Sequence, residues 1–376
     1  MLKPSNDSVL VSSNEPSSTS SSVSERMSSP NSSVDNSSIV YTNTTCEIQD
    51  QFLSLVLPAS YSVIFIIGLL SNTVALCVFF FSKKTNSSIS VYMKNLAIAD
   101  FLLVLCLPCR IYYHNRHGPY LLCKTVGVFF YINMYASILF LSLISMDRYL
   151  KIIKPVWVYK IQKVEWSQRT TRAMWIILVC GMLPFFFENK GTQPCDDVCF
   201  HFHKKSLVGG IINLIVVGFF YFLSLIFLGF YGKIAMKLKK MFLGNAPQKA
   251  KSRKTSAIIK TFLVPVIFTL CFMPYHVVRV PYVLSQMNII QELNSKQTLH
   301  ILNELVLCLS ALNSCLDPII YFFLSCTFRK TILCAIQGFH LFHNANSRVS
   351  KIDHFKNKNT IYHMYLTFYC YVTRGK

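Results

Sequence analysis

Ionisable residues inside long apolar stretches are the positions of this sequence that could do chemistry. Asp100 and Asp317 are carboxylates that could bind a cation or a proton, and the forked donors of Arg279 suit phosphate or carboxylate oxygens. Asp147, Arg148 and Tyr149 follow a long apolar run, so Arg148 is expected at the face of the membrane where that helix ends. Charges in apolar surroundings are costly and are usually functional, the alternative being a structural polar network between helices.

Arg279 shares one helical face with aromatic residues. Tyr275, Arg279 and Tyr282 are spaced at i, i+4 and i+7, and His276 is adjacent. Such a face suits an anionic head group, but Arg279 could also reach the membrane interface while Tyr282 belongs to an aromatic belt. Helical position alone favours neither. Further candidate ligand contacts are polar or aromatic residues of other segments: Tyr131, Tyr135, Arg110, His201, Lys204, Lys205, Asn303 and Glu304.

Seven apolar segments position these residues. The 376-residue chain is 52% hydrophobic and 14% charged, whereas soluble proteins carry about a quarter of charged residues. Each segment has close to the ~20 residues that span a bilayer as a helix. The sequence therefore predicts an all-α membrane protein, a seven-transmembrane helix bundle, with segments at about 52–82, 91–113, 121–150, 171–187, 207–232, 258–284 and 299–325.

The charge distribution predicts the orientation. The net charge of +21 lies mainly in the connections after segments 1, 3, 5 and 7, which argues for cytoplasmic loops rather than for nucleic-acid binding. Residues 1–51 are rich in Ser and Asn and are predicted to be a disordered extracellular tail. Residues 52–325 form the membrane domain and 326–376 a cytoplasmic helix and tail. Candidate glycosylation sites in the first tail are Asn6, Asn31, Asn36 and Asn43.

Short motifs follow one another through the segments. In chain order they are Asn72, Asn95–Asp100, Asp147–Tyr149, Trp175, Pro184, Cys271–His276 and Asn313–Tyr321. Over roughly residues 52–335 this set resembles the rhodopsin-class G-protein-coupled receptors. The resemblance implies a multi-pass plasma-membrane receptor with an extracellular N-terminus and a short amphipathic eighth helix. It also implies heterotrimeric G proteins of the inhibitory type as partners, and arrestin as a further candidate partner.

The resemblance assigns a switch to the end of segment 3. Arg148 would pair with Asp147 in the off state and meet the G protein in the on state. Many relatives add an acidic partner at a position that is Lys254 here, so the off state is expected to use other contacts. The remaining switch candidates are Tyr149, Tyr231, Asp317, Pro318 and Tyr321.

The resemblance also places a sodium pocket in the bundle. Its candidate residues are Asp100, Ser137, Asn313 and Asp317, where a cation would offset the buried carboxylates. A proton on Asp100 is the competing state. No other metal and no cofactor are expected.

Cysteines at the outer side suggest disulfides. In relatives the cysteine at the start of segment 3 is bonded to a Cys-Phe-His sequence, which favours Cys123–Cys199 over Cys123–Cys195. The third outer loop has no cysteine, so Cys46 is expected to pair with Cys195, the alternative being two free thiols. Cys334, after segment 7, is a candidate palmitoylation site.

The ligand is predicted from two local likenesses. The stretch 272–286 resembles the purinergic receptors for ADP and UDP-sugars and their orphan relatives. Cys199–Phe202 and Asn303-Glu304 resemble the lysophosphatidylserine receptor branch of that cluster, since ADP-type receptors carry Lys-Glu at the second site. The expected ligand is a lysophospholipid such as lysophosphatidylserine. The alternative ligands are a nucleotide or a nucleotide sugar. A more remote alternative is a scavenger or scaffold receptor that does not signal. Membrane lipid is expected around the bundle, and no enzyme activity is expected.

Overall fold

A computed structural model describes residues 51–81, 87–114, 116–153, 163–187, 198–243, 255–256 and 258–349. The predictions for the four glycosylation asparagines, Cys46, Cys195, Lys254 and the last 27 residues lie outside this part of the chain. The described residues form nine helices and no strand. They are α1 (Gln51–Phe81), α2 (Ser88–Tyr113), α3 (Tyr120–Ile153), α4 (Val164–Phe187), α5 (Leu207–Leu243), α6 (Leu263–Gln286), α7 (Leu293–Ala311), α8 (Asn313–Leu324) and α9 (Cys326–Val349).

Most of the predicted spans are recognisable by length and composition. Within the described ranges, six helical stretches are long and apolar enough to cross a membrane, α7 and α8 together making one of them. The predicted fourth span corresponds to α4, which is not among these six and whose first turns carry Glu165, Arg169 and Arg172. Its apolar part begins at about residue 173 and is correspondingly short. Helices α2 to α5 and the α7–α8 span are longer than the predicted segments, because polar or charged turns such as those after residue 232 in α5 continue the helix.

Helix α3 lies at the centre of the bundle. It contacts α2, α4, α5, α6 and α7, whereas α1 packs on α2 and on the α7–α8 span. Large side chains such as Phe140, Phe268 and Phe272 fill the space between the helices and are fully buried. Leucines and isoleucines on the outer faces, Leu70 of α1 and Leu228 of α5 among them, are exposed. This is the arrangement of a bundle whose outer surface is covered by lipid.

Polar contacts tie the helices together inside this apolar core. Trp175 Nε1 donates to Asn95 Oδ1 at 3.0 Å, linking α4 to α2. Ser167 Oγ donates to Ser88 Oγ at 2.8 Å. This second contact links the first turns of the same two helices. A hydrogen bond between helices satisfies side chains that lipid could not.

The two ends of the bundle carry different chemistry. At one end, Cys123 at the start of α3 is bonded to Cys199, and this end is called the disulfide end. Arg148 marks the opposite end of α3 and defines the Arg148 end. There α9 follows α8, and Phe328 stacks on Phe79 of α1 with ring centroids 5.6 Å apart. With 24 residues, α9 is longer than the short helix expected after the seventh span.

Candidate functional site

Arg279 is buried at the disulfide end between α5, α6 and α7. Its Nη1 donates to Asn303 Oδ1 at 3.1 Å and its Nη2 donates to Asn213 Oδ1 at 3.0 Å. Only 3% of the residue is exposed, so the side chain points into the bundle and not toward a lipid interface. No carboxylate of the described residues lies within ion-pair distance of it. Within the part of the chain that the structure describes, no carboxylate therefore compensates the positive charge of this guanidinium.

Tyrosine rings surround this guanidinium. The ring centres of Tyr131, Tyr275 and Tyr282 lie 5.7, 5.7 and 5.3 Å from its central carbon. The negative ring faces stabilise the cation, and the three hydroxyl groups add hydrogen-bonding capacity around it. A cation with two amide acceptors and an aromatic wall can exchange its neutral partners for the oxygens of a phosphate or carboxylate.

A second arginine lies in the same half of the bundle and is neutralised. Arg110 Nη2 and Glu304 Oε2 are 2.6 Å apart, and both side chains are nearly excluded from solvent. The Arg110 guanidinium also lies 4.2 Å from the ring centre of Phe200, 4.8 Å from that of Phe130 and 5.7 Å from that of Tyr61. Phe200 has a left-handed backbone (φ 62°), which costs about 1–3 kcal/mol and is held by the surrounding contacts.

Asn303 connects the two arginine sites. Its Oδ1 accepts from Arg279, and its Nδ2 donates to Glu304 Oε1 at 3.4 Å. Because Glu304 also binds Arg110, a charge sequence of cation, amide, carboxylate and cation runs across α6, α7 and α2. The site can therefore receive an anion at Arg279 and groups of both signs near Arg110.

Tyr135 and His276 form the floor of this region. Their rings are 6.1 Å apart, and His276 stacks on Phe220 of α5 at 3.5 Å. The Nδ1 atom of His276 is 2.8 Å from the carbonyl of Phe272, so it donates and Nε2 is left as an acceptor. These rings close the polar region toward the centre of the bundle.

Sequence reasoning missed three residues of this site and included one that lies apart. Asn213, Phe200 and His300 were not among the candidates. Asn213 could have been recognised, because it is a lone asparagine in the apolar run of α5. Nothing in the local sequence identifies Phe200 as a site residue. Lys204 was a candidate, yet it is exposed, and Lys205 binds the end of α6 through its backbone, its N–H donating to Gln286 O.

The predicted sodium-pocket residues lie together in the middle of the bundle. Asp100, Ser137, Asn313 and Asp317 are fully buried. Asn313 Nδ2 donates to Asp317 Oδ2 at 2.7 Å, and Asn133, which was not predicted, donates to Asp100 Oδ1 at 3.0 Å. One oxygen of each of the four predicted residues has no hydrogen-bond partner within the described structure. Oxygen atoms without donors, two of them from carboxyl groups, fit a hard cation.

Asp147 has two cationic neighbours at the Arg148 end. Arg148 Nη2 lies 3.5 Å from Asp147 Oδ2, and Lys151 Nζ lies 2.9 Å from the same oxygen. The Lys151 contact is the shorter one, and it was not predicted from the sequence. Tyr231 of α5 is placed by its hydroxyl, which is 3.1 Å from Ser145 Oγ.

The other predicted switch residues pack around the same end. Tyr149 stacks on Phe230 with ring centroids 4.6 Å apart. Tyr321 is fully buried and makes edge contacts with Phe79 and Phe328, which joins α8 to α1 and α9. Cys334 of α9 is a free, half-buried thiol.

The segment before α5 is anchored by the disulfide. The Cα atoms of Cys123 and Cys199 are 5.6 Å apart, and the Cys199 N–H donates to Arg116 O at 2.9 Å. This anchor holds Phe200 over Arg110 and places His201 and Phe202 against Tyr282 and His300. The segment from Cys199 to Phe202 thus forms one wall of the site.

Comparison with known proteins agrees with this geometry. Residues 71–321 match the family model of the 7 transmembrane receptor (rhodopsin family). The chain is 38% identical to "Probable G-protein coupled receptor 34" of Pan troglodytes, with 83% of each protein aligned. It is 36% identical to purinoceptor 14 of Bos taurus, over 81% of this chain and 91% of that one. It is 34% identical to purinoceptor 13 of Homo sapiens, over 78% of this chain and 84% of that one.

These relatives are receptors and not enzymes, and they share the purinoceptor-like character expected from the sequence. The helical bundle, the disulfide and the family match agree on a multi-pass membrane protein. The chain belongs to the rhodopsin family of seven-transmembrane, G-protein-coupled receptors, in the group of purinoceptor-like members.

Proposed function

We propose that this chain is a plasma-membrane receptor, with its N-terminus outside, for an anionic lysophospholipid such as lysophosphatidylserine, and that it activates inhibitory heterotrimeric G proteins. The observation that carries the proposal is the buried Arg279, which is held by two amide oxygens and has no carboxylate partner among the described residues. Leaving a buried charge without a counter-ion is costly. An anionic head group supplies the missing charge.

The Arg110–Glu304 pair supports a head group that carries both signs. With the lipid phosphate on Arg279, a serine ammonium can take the Glu304 carboxylate while the serine carboxylate takes Arg110. Asn303, which already binds both Arg279 and Glu304, holds these two positions together. In this proposal the acyl chain would lie against aromatic and aliphatic residues of the bundle.

A nucleotide ligand is the second candidate, supported by the two related proteins that are named purinoceptors. A nucleoside diphosphate carries more negative charge than one guanidinium neutralises. The residue before Glu304 would have to help, but it is the neutral Asn303 and not a lysine. The lysophospholipid therefore fits the charges of the site better.

Signalling would follow from a shift between two bundle arrangements. Pro274 interrupts the hydrogen bonding of α6 between the ligand site and the Arg148 end, so α6 can pivot there. A ligand held by Arg279 above this point would favour the arrangement in which α6 moves away from Arg148. The ligand can change the free-energy difference between the two arrangements only by the difference between its binding free energies for them. An internal Na⁺ at Asp100 would favour whichever arrangement binds it better.

The test is a G-protein activation assay in cells that express the chain, challenged with lysophosphatidylserine, lysophosphatidic acid, ADP and UDP-glucose. The Arg279→Ala variant should lose potency toward the active lipid by about 30-fold or more, since removing such a contact costs about 2 kcal/mol or more. Arg116→Ala is the matched control, because Arg116 lies at the same end but is exposed. Surface expression of each variant is measured in parallel.

A lipid response that Arg279→Ala abolishes and Arg116→Ala leaves intact supports the proposal. A response to ADP or UDP-glucose alone would exclude the lipid and favour the second candidate. Pertussis toxin, which uncouples inhibitory G proteins, should abolish the response; a toxin-resistant response would overturn that part of the proposal.

A further inference from the structure

Two neighbouring polar atoms are buried between α1 and α2 at the disulfide end. They are the hydroxyl oxygen of Tyr61 and Nε of Arg110, and neither has a hydrogen-bond partner within the described part of the chain. Tyr61 is 0% and Arg110 3% exposed, and the guanidinium carbon lies 5.7 Å from the centre of the Tyr61 ring. Native proteins rarely leave a buried donor unpaired, because the loss of its hydration is costly. The two atoms therefore indicate an acceptor that the described chain does not supply.

Both groups can donate to the same acceptor. A guanidinium only donates, so the Tyr61 hydroxyl can at most accept from Arg110, and its own proton still needs an acceptor. The rings of Phe130 and Phe200, whose centres lie 4.8 and 4.2 Å from the guanidinium carbon, carry no oxygen that could accept. Phe130 also packs edge-on against Tyr61, with ring centroids 5.6 Å apart. An oxygen that enters between these rings is offered one N–H and one O–H donor.

The charge balance restricts what this oxygen belongs to. Arg110 is already neutralised by Glu304, 2.6 Å away. A phosphate or a carboxylate that arrives alone would leave this buried site with a net negative charge, which is costly. An α-amino acid group is neutral as a whole. Its ammonium can bind Glu304 while its carboxylate accepts from Tyr61 and Arg110.

We propose that the Tyr61 hydroxyl, together with the Nε–H of Arg110, binds the carboxylate of an amino-acid head group and selects ligands that carry one. The inference rests on the proposed function, which places the lipid phosphate on Arg279 and the ammonium on Glu304. It adds α1 to the ligand site through Tyr61. Lysophosphatidylethanolamine has the same phosphate and ammonium but no carboxylate, so it leaves both donors unpaired. A site built to hydrogen-bond a group rejects the analogue that lacks it.

The experiment compares lysophosphatidylserine with lysophosphatidylethanolamine of the same acyl chain in G-protein activation by cells that express the full chain. The wild type should prefer lysophosphatidylserine by about 10-fold or more. Tyr61→Phe keeps the ring and removes the hydroxyl, so it should lower this preference by about 10-fold, the effect of one hydrogen bond to a charged group. Lysophosphatidylethanolamine is also measured as a competitor, so that binding without signalling is detected.

Two further variants define the origin of the effect. Arg110→Lys keeps a cation for Glu304 but lacks the Nε–H, so it should also lower the preference. Tyr112→Phe is the matched control, because Tyr112 lies at the same end of α2 with 61% of the residue exposed. It should leave the preference unchanged. The potency of lysophosphatidylethanolamine in Tyr61→Phe, measured with surface expression, shows that this variant is folded.

Three results would overturn this inference alone. They are equal potency of the two lipids on the wild type, a preference that Tyr61→Phe leaves unchanged, and an equal loss of potency toward both lipids in Tyr61→Phe. The last result would assign the hydroxyl to stability. A wild-type receptor that neither lipid activates or occupies would overturn the proposed function and this inference with it.

Discussion

The side-chain amide of Asn72 donates a 2.8 Å hydrogen bond to the carbonyl of Ser314, a residue 242 positions later. The carbonyl of Ser314 needs this donor because of Pro318, one turn further along α8. Pro318 has no N–H, so the carbonyl of Ser314 cannot receive its usual helical hydrogen bond. Asn72 of α1 supplies the missing donor and also binds Gly68 O within its own helix.

We predict that Asn72→Ala lowers the free energy of unfolding by about 1–3 kcal/mol, the cost of a buried polar group left without a partner. Thermal unfolding of the purified receptor measures this change. Ser71→Ala is the control, because the Ser71 hydroxyl makes only a 3.4 Å contact within α1. Equal effects of the two substitutions would contradict the role assigned to Asn72.

The sequence was sufficient for the spans and for much of the site, because apolar length and single charges in apolar runs are local signals. Distances between helices are not local. The Arg110–Glu304 pair joins positions 194 apart, and each residue alone suggested only a ligand contact. Asn213 became significant only once α5 was placed beside Arg279. Helix α9 was expected to be short because the family resemblance implied a short eighth helix, whereas the helix has 24 residues.

Gly68 allows α1 to approach α2 closely. A Cβ atom at this position would lie 2.8 Å from Val104 Cγ2, and the β-branched Val104 is fully buried and cannot turn away easily. We expect Gly68→Ala to destabilise the receptor by about 1–3 kcal/mol through overpacking. The double variant with Val104→Ala should recover part of this loss. Gly127→Ala, at a position with open space around it, is the control.

Sodium should stabilise the receptor through the polar cluster at Asp100. An ion bound to the native state raises the unfolding midpoint, so NaCl should raise it relative to N-methyl-D-glucamine chloride of equal ionic strength. Asp100→Asn should abolish this difference. Replacing Asn133, which donates to Asp100 Oδ1, by Ala should weaken the sodium dependence. A sodium effect that persists in Asp100→Asn would place the ion elsewhere.

Glu304 should determine which phospholipid head group is preferred. In the proposed pose its carboxylate binds the ammonium of lysophosphatidylserine, a group that lysophosphatidic acid lacks. Hydrogen bonds to charged groups contribute about 1.5–3 kcal/mol, so Glu304→Gln should lower the preference for lysophosphatidylserine over lysophosphatidic acid by about 10-fold or more. Concentration–response curves for both lipids in G-protein activation measure this ratio.

The ratio distinguishes recognition from structural damage. Glu304→Gln also replaces the charged partner of Arg110, 2.6 Å away, by a neutral amide, which should harm both lipids equally if the pair serves only to hold α2 against α7. The exposed Glu292, whose carboxylate accepts from Ser295 at the start of α7, provides the control Glu292→Gln. An unchanged ratio together with a general loss of response would assign the Arg110–Glu304 pair to stability. A ratio that falls while lysophosphatidic acid retains its potency would assign the pair to the head group, because only the ammonium distinguishes the two lipids at this carboxylate.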